Sequence, residues 1–323
     1  MPTIKDILQH IESEIKNQQF GLQPKSLYEP IRYIMALGGK RMRPLLTALA
    51  YSLYKNDVEK ILKYAAAVEA FHNFTLMHDD IMDNAPLRRG KSTVHEKWNV
   101  NTAILSGDVM LVKVYDLFLD LDKEILPTAL SLFNKCAAEV CEGQQWDMEF
   151  ETKTKVTETQ YLEMIRLKTA VLLGFSLELG ALLAKAPEKE RVALNEFGTL
   201  VGIGFQLKDD LLDVYADKKK FGKQVGGDII ANKKTYLLIK AKEKARGQHK
   251  RELEFWLSAK KFNKQKKVKA VTAIYDSLGI AALTEKKVEE FFSQGFEKLN
   301  ALPDSAQKQN LIQFTQELIR RQS

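Results

Sequence analysis

Residues 65–83 read AAAVEAFHNFTLMHDDIMD, and residues 200–213 read LVGIGFQLKDDLLD. Each stretch is apolar over most of its length and closes with two aspartates, two apolar residues and a third aspartate. In an α-helix, the first and last aspartates of this pattern project from one face, one turn apart. The sequence therefore predicts two long helices, each ending in a pair of carboxylates on one face.

Helical periodicity continues through most of the chain. Apolar residues recur at spacings of three and four between short breaks such as Gly38-Gly39, and proline is scarce, with 8 residues. The predicted helical stretches are 3–18, 25–37, 43–54, 57–83, 100–121, 126–150, 157–185, 188–215, 232–246, 265–278, 283–299 and 304–320. They predict a single all-α domain over residues 1–323, a large helical bundle of about a dozen helices around a central active-site cavity.

Composition and charge exclude several classes of protein. Apolar residues make up 45% of the chain and charged residues 28%, which is typical of a soluble globular protein. The formal net charge is +7, but the basic runs in 217–270 lack interleaved aromatic residues, which favours a solvated face over a nucleic-acid partner. The most apolar stretch, 170–184, is short and interrupted by Glu178. We therefore expect a cytoplasmic protein without stable membrane insertion.

The two aspartate clusters indicate a metal site. Two carboxylates on one helix face repel each other unless a cation compensates them, and Mg²⁺ prefers hard oxygen ligands completed by water and substrate phosphates. A solvated acidic helix end would explain either cluster alone. Both clusters, however, follow apolar runs, at 65–77 and 200–207, so they should open into a cavity. The pair therefore favours a magnesium site for a phosphorylated substrate.

A phosphorylated substrate requires basic residues around the metals, and the sequence contains several groups of them. Residues 38–44 read GGKRMRP, which places three cations and two glycines before a predicted helix start. Two arginines at 88–89 follow the first aspartate cluster, and Lys168 lies in an apolar segment where an unpaired lysine would be costly. Lys223 and Lys233 follow the second cluster. One lysine alone is more often a surface residue, but the set predicts a diphosphate clamp.

These motifs resemble those of the trans-prenyltransferases, or polyprenyl diphosphate synthases, of the short-chain type. The matching motifs are, in chain order, GGKRMRP, DDIMD followed by RRG, KT, GQQWD, FQLKDDLLD and FGKQVGGDI. The resemblance implies an all-α homodimer that uses three Mg²⁺ ions. It also implies the condensation of isopentenyl diphosphate with an allylic diphosphate, namely dimethylallyl, geranyl or farnesyl diphosphate.

The resemblance further assigns roles to individual residues. The first aspartate motif corresponds to Asp79, Asp80 and Asp83, and the second to Asp209, Asp210 and Asp213. The metal ligands would be Asp79, Asp83 and Asp209. Isopentenyl diphosphate would be held by Lys40, Arg43, His72 and Arg89. The allylic diphosphate would be held by Arg88, Lys168, Thr169, Gln206, Lys223 and Lys233. The catalytic residues would be Asp79, Asp80, Asp83, Arg88, Lys168, Asp209 and Lys223. Gln144 and Asp147 match a polar pair that supports the metal-bound waters.

Product length is expected to depend on the residues just before the first motif. Phe74 and Thr75 precede Asp79 by five and four residues. An ideal helical wheel places Thr75 in line with Asp79 and Phe74 to one side, so geometry alone does not make Phe74 the floor of the pocket. By resemblance, Phe-Thr before an uninterrupted DDxxD is typical of archaeal enzymes that make geranylgeranyl diphosphate. We therefore predict the C20 product, with farnesyl diphosphate (C15) as the alternative.

Other functions fit the sequence less well. A head-to-head squalene- or phytoene-type synthase would not need GGKRMRP or the RRG after DDIMD, and a terpene cyclase would not need a second DDxxD. A non-catalytic regulatory subunit would be expected to lack one aspartate motif, and both are intact here.

Overall fold

Helices form nearly all the regular structure of the computed structural model, which describes residues 3–216 and 226–320. In this part of the chain the only strands are β1 (Leu87–Arg88) and β2 (Lys91–Ser92), so the prediction of an all-α protein is confirmed. The first helices are α1 (Ile4–Asn17), α2 (Lys25–Ala36), α3 (Met42–Ser52), α4 (Leu62–Met82), α5 (Val94–Lys97), α6 (Val100–Phe118), α7 (Leu126–Thr152) and α8 (Glu158–Ile165). The later helices are α9 (Val171–Leu183), α10 (Glu188–Tyr215), α11 (Gly227–Ala231), α12 (Tyr236–Lys244), α13 (Gly247–Ser258), α14 (Lys264–Ser277), α15 (Ile280–Lys298) and α16 (Ala306–Arg320).

The chain divides into two compact units. Unit 1 comprises Met1–Lys135, Phe175–Asn195 and Leu302–Leu311, and unit 2 comprises Cys136–Gly174, Glu196–Ala301 and Ile312–Ser323. The prediction of a single domain over 1–323 stays a prediction.

The core of unit 1 surrounds α4, which packs against α1, α3 and α6. Alanines at 65–67 are fully or almost fully buried and allow close approach of neighbouring helices. Aromatic rings fill the space beyond them: Phe133 contacts Phe71 and Phe118 with ring centroids 5.0 Å and 5.5 Å apart. This packing holds the helix that ends in the first aspartate motif.

The core of unit 2 includes a cluster of apolar residues from α12, α14 and α15. Leu237 and Ile280 are fully buried in it, together with Val271, Ile274 and Tyr275. This cluster supports α11, which packs on α14 and follows the second aspartate motif in the sequence. Within the described ranges, no helix is both long enough and apolar enough to cross a bilayer.

Two predicted helices are interrupted. The stretch predicted at 57–83 begins with a 3₁₀ turn, Val58–Ile61, and the stretch predicted at 157–185 contains a π-helical turn, Arg166–Ala170, between α8 and α9. Periodicity could not locate the π turn because one extra residue leaves the apolar pattern almost unchanged. Helix α13 was not predicted at all, since it is polar and only Leu253 in it is buried. The sequence places Gln160 three residues after Thr157, a spacing that predicts a capping box, and the structure confirms it at the start of α8.

Candidate active site

The first aspartate motif forms the C-terminal end of α4. The Asp83 N–H donates to the Asp79 carbonyl at 2.8 Å, which confirms the one-turn spacing of these two residues. Asp83 is exposed and Asp79 is partly exposed, whereas Asp80 is only 2% exposed. The helix end therefore has two carboxylates accessible to a ligand and one turned inward.

The inward carboxylate, Asp80, binds Arg88. The Arg88 Nε lies 2.9 Å and 2.8 Å from the two carboxylate oxygens, and Nη2 lies 2.8 Å from Oδ1. The β1–β2 hairpin makes this contact possible, because Arg89 and Gly90 at its turn adopt φ of 53° and 75° and return the chain tightly. Asp80 thus fixes the guanidinium that the sequence assigned to the allylic diphosphate.

The GGKRMRP segment places its three cations differently. Arg41 is 4% exposed and donates to Glu12 at 2.8 Å, to Glu69 at 2.7 Å and to the Met35 carbonyl at 2.9 Å. It therefore anchors the loop inside the protein, and the expectation that all three cations form an anion site is wrong for Arg41. Lys40 is exposed.

Gly39 allows Arg89 to approach the same loop. It adopts φ 142°, and a Cβ atom added there would lie 2.8–3.0 Å from the Arg89 guanidinium atoms. A side chain at this position would displace the guanidinium. The hairpin after the first motif and the loop before α3 consequently bring Arg89 beside the Gly38-Gly39 turn.

His72 joins this basic group as a neutral imidazole. Its Nε2 lies 3.0 Å from Nη1 of Arg43. Burial lowers the pKa of His72 well below its ordinary value, and the positive charges of Arg43, Arg89 and Arg88 lower that pKa further. Because the ring is neutral, Nε2 accepts the hydrogen bond from Arg43 and the proton lies on Nδ1. Unit 1 therefore brings together the arginines and the histidine assigned to isopentenyl diphosphate.

The two residues assigned to product length have different surroundings. Phe74 is 9% exposed, and its ring centroid lies 5.7 Å from that of Phe71 and 4.8 Å from that of His78. Thr75 donates its hydroxyl to the His72 carbonyl at 2.8 Å. Phe74 thus belongs to the aromatic packing of unit 1, while the Thr75 hydroxyl is satisfied by its own helix.

The second aspartate motif, on α10, repeats the arrangement of the first. Asp209 is exposed and Asp210 is 5% exposed. Asp210 accepts hydrogen bonds from the Tyr161 hydroxyl and, at 3.2 Å, from the Gln206 amide. Burial raises the pKa of Asp210 to about 8. The Gln206 amide oxygen in turn accepts a hydrogen bond from the Thr169 hydroxyl at 3.3 Å. In each motif, therefore, the second aspartate is buried and binds a neighbouring side chain.

The third aspartate, Asp213, organises the segment that begins at Gly226. The Gly226 N–H donates to the Asp213 carbonyl at 2.6 Å, and the Asp228 N–H donates to Asp213 Oδ2 at 3.0 Å. This segment leads directly to Lys233, which is exposed. Lys223, also assigned to the allylic diphosphate, lies outside the described residues.

Lys168 lies in the π turn between α8 and α9. Its Nζ is 2.6 Å from Asp147 Oδ2, so Lys168 has a carboxylate partner and the expectation of an unpaired lysine is wrong. Helix backbones approach the turn closely, since a Cβ on Gly143 would lie 2.2 Å from the Lys168 nitrogen and one on Gly202 would lie 2.7 Å from the Ala170 Cα. Single π turns are frequent at functional sites.

One cavity of unit 2, of about 730 Å³, has polar and basic walls. Its lining includes Asp147, Lys168, Thr169, Gln206, Asp210, Asp228 and Lys233. The structure therefore brings together the described residues of unit 2 that were assigned to the allylic diphosphate. The first motif lies in the other unit, so the prediction that both motifs open into one cavity stays a prediction.

The donor set fits magnesium with water and substrate oxygens completing its shell. Over residues 3–216 and 226–320, no group of three or more His, Cys, Asp or Glu side chains could hold a metal alone, but Mg²⁺ commonly takes one or two carboxylates. Gln144 is 6% exposed, and neither of its amide atoms has a hydrogen-bond partner in the same ranges. A buried amide of this kind calls for a water or ion partner, which metal-bound water would supply.

The sequence did not predict the hydrogen bond from Tyr161 to Asp210 or the close packing of Gly143 against Lys168. Tyr161 stands seven residues before Lys168, two helical turns away, and nothing in its local sequence indicates an aspartate partner at 210. Gly143 is the first residue of GQQWD, and a glycine inside a predicted helix was a usable signal of close backbone approach.

Comparison with known proteins agrees with this geometry. The family model for polyprenyl synthetase matches residues 24–275. A geranylgeranyl diphosphate synthase from Methanosarcina mazei is 36% identical over 321 residues, covering 99% of this chain and 97% of that protein. A short chain isoprenyl diphosphate synthase from Methanocaldococcus jannaschii is 45% identical over 238 residues, covering 73% and 72%. A crystal structure of geranylgeranyl pyrophosphate synthase aligns over 100% of both chains with a TM-score of 0.92 and 41% identity.

Proposed function

The chain belongs to the polyprenyl synthetase family, and we propose that it condenses isopentenyl diphosphate with allylic diphosphates to give geranylgeranyl diphosphate, releasing diphosphate. The C20 product is supported by similarity, over nearly the whole chain, to relatives named geranylgeranyl diphosphate synthase. The two aspartate motifs and the basic groups around them carry the choice of reaction. The reaction takes place in the cytoplasm and involves no nucleic acid.

Isopentenyl diphosphate binds to the basic group of unit 1. Lys40, Arg43 and Arg89 supply the positive charge for its diphosphate. Neutral His72 accepts from Arg43 and so directs that guanidinium without adding a competing charge. Gly39 leaves room for Arg89 beside the loop. Loop, helix and hairpin thereby combine donors from three separate parts of the sequence.

The allylic diphosphate binds to Arg88, Lys168, Lys223 and Lys233, with Thr169 and Gln206 as polar neighbours. Asp79, Asp83 and Asp209 would hold three magnesium ions, which when bound would stabilise the negative charge that develops on the diphosphate. Asp80 keeps Arg88 oriented, and Asp147 orients Lys168. Preorganised cations of this kind are usually the largest contribution to catalysis when charge develops on a leaving group.

The proposed reaction breaks the allylic C–O bond, and the electron pair leaves with the diphosphate. The resulting allylic carbocation is attacked by the double bond of isopentenyl diphosphate, which forms the new C–C bond. The departing diphosphate accepts the proton that is lost from the adduct, so no protein base is needed. Holding both substrates side by side supplies the remaining rate acceleration.

Product analysis tests this function directly. Purified protein is incubated with magnesium, radiolabelled isopentenyl diphosphate and one primer at a time: dimethylallyl, geranyl or farnesyl diphosphate. We expect the C20 product from all three primers and no product without a primer. Accumulation of farnesyl diphosphate that is not extended would identify a C15 synthase instead, and absence of any prenyl transfer would overturn the proposal.

Phe74→Ala is expected to lengthen the products beyond C20. Phe74 packs at the end of the α4 segment that leads to the first motif, and removing its ring opens space there without touching the aspartates. Chromatography of the dephosphorylated products measures the effect. Phe118→Leu is the control, because Phe118 belongs to the same aromatic packing but does not contact Phe74 among the ring pairs. Unchanged lengths in Phe74→Ala would refute its role as the floor.

We also propose that the protein is a homodimer formed through α6. That helix exposes apolar side chains: Ile104 by 40%, Leu105 by 58% and Val112 by 58%. A second copy of the chain would remove this apolar area from water.

Leu105→Glu is expected to shift the protein from twice the 36.8 kDa chain mass to the monomer mass in light scattering. Val192→Glu, at an apolar residue 43% exposed on α10, is the matched control and should stay dimeric; a monomeric parent protein would contradict the proposal.

A further inference from the structure

Lys267, on α14, is a buried lysine that the proposed reaction does not use. Its side chain is 0% exposed, and Nζ donates to Asn232 Oδ1 at 2.6 Å and to the Ile230 carbonyl at 3.3 Å. The Phe262 ring centroid lies 4.2 Å from Nζ. No carboxylate lies within ion-pair distance of Nζ in the described part of the chain. Burial lowers the pKa of Lys267, as expected for an ammonium group without a counter-ion.

The partner of Lys267, Asn232, ends α11 in a left-handed conformation. It adopts φ 55°, a value that asparagine tolerates better than most residues other than glycine. Its Nδ2 donates to the Leu257 carbonyl at 3.1 Å while its Oδ1 accepts from Lys267. Both ends of the amide are therefore fixed, and the next residue, Lys233, leaves this turn in a defined direction.

Val268, the residue after Lys267, packs against Gly226, at the other end of the segment 226–233. A Cβ on Gly226 would lie 2.6 Å from the Val268 side chain, so α14 also packs closely on the start of α11. Gly226 is tied to Asp213 of the second motif through its N–H. Helix α14 thus supports the segment 226–233 at both of its ends.

We propose that Lys267 is a positioning residue for the allylic diphosphate: through Asn232 it sets the direction of Lys233 at the cavity that Lys168 and Thr169 also line. The inference rests on the proposed function of that cavity. Asp228, Asn232 and Lys233 are all part of the lining. A lysine suits this role because its long apolar stem crosses the core while its three N–H donors meet a carbonyl, an amide oxygen and an aromatic face.

Steady-state kinetics of Lys267→Met test the proposal. Methionine keeps the volume but removes the donors, so Lys233 loses its fixed direction. We expect about a tenfold rise in KM for the allylic diphosphate, equivalent to about 1.4 kcal/mol. The KM for isopentenyl diphosphate should stay unchanged, because its binding group lies elsewhere in the sequence. Equal changes in the KM for the allylic diphosphate and the KM for isopentenyl diphosphate would contradict the proposal. A loss of thermal stability with both KM values unchanged would show that Lys267 has only a structural role.

A second variant and a control separate the explanations. Asn232→Gly keeps the left-handed turn and removes the acceptor, so it should raise the same KM, and the double variant should be no worse than either single change. Additive effects would overturn action through Asn232. Lys308→Met is the control for loss of a buried lysine in unit 1: Lys308 is 6% exposed and donates to the Leu302 carbonyl at 3.0 Å and to Asp304 Oδ1 at 2.9 Å. It should lose stability without a change in either KM.

The parent protein distinguishes this inference from the proposed function. If the parent chain transfers no prenyl group, the proposed function fails. If it turns over normally and Lys267→Met has an unchanged KM for the allylic diphosphate, only the positioning role fails.

Discussion

Asp79→Ala and Asp209→Ala are each expected to lower turnover by roughly three orders of magnitude or more, since metal stabilisation of transition-state charge contributes several kcal/mol and about 1.4 kcal/mol is a factor of ten. Asp79 is partly exposed in the last turn of α4, Asp209 is exposed on α10 six residues before that helix ends, and neither is the buried member of its motif. Their removal should therefore leave the fold intact. Single-turnover and steady-state assays measure the loss, and circular dichroism and thermal melting check the fold.

The controls for this prediction come from the same chain. Asp116→Ala removes an aspartate whose carboxylate pairs with Lys113 on the surface of α6, and its turnover should match the parent protein. Excess chelator should abolish activity in the parent protein and in Asp116→Ala alike. Full activity of either motif variant, or full activity in chelator, would contradict magnesium binding by the motifs.

The buried aspartates should behave differently from the accessible ones. Asp80→Ala leaves Arg88 without its partner, and Asp210→Ala leaves Tyr161 and Gln206 without their acceptor. These changes remove internal contacts, so they should lower stability as well as turnover. Helical spacing separates the second aspartate of each motif from the first and last, but the sequence alone could not show that the second is buried against a partner.

Features that depend only on spacing within one helix could be predicted from the sequence. The one-turn spacing of Asp79 and Asp83, the helix that carries them and the capping box at Thr157 all follow from spacing rules within a single helix. Which residues turn inward depends instead on contacts between distant segments. Asp210 is buried because Tyr161, 49 residues earlier, reaches it, and nothing near Asp210 encodes that contact.

The basic motif GGKRMRP shows the same limit. Its composition predicted an anion site, and its two glycines do allow Arg89 to approach. The inward direction of Arg41 depends on Glu12 and Glu69, which lie 29 residues and 28 residues away on other helices. Charge alone therefore cannot separate a substrate-binding arginine from a structural one.

Arg41→Met is expected to lower the free energy of unfolding by about 3–5 kcal/mol, the usual cost of breaking a buried ion pair by removing one partner. Glu69 is only 3% exposed and would remain as a buried carboxylate without its cation. Urea denaturation followed by circular dichroism measures the change. Lys60→Met is the control, because its ion pair with Asp57 is on the surface and its loss should leave stability almost unaltered.

A double variant decides whether the cost comes from the stranded charge. Replacing both partners, in Arg41→Met with Glu69→Leu, removes the buried carboxylate together with its cation, so most of the lost stability should return. Glu12 is 35% exposed at its side chain and can be solvated when Arg41 is absent. If the double variant is as unstable as Arg41→Met, the loss comes instead from the hydrogen bond to the Met35 carbonyl, which holds the loop before α3. Recovery of stability without recovery of isopentenyl diphosphate binding would show that Arg41 also shapes the loop that carries Lys40 and Arg43.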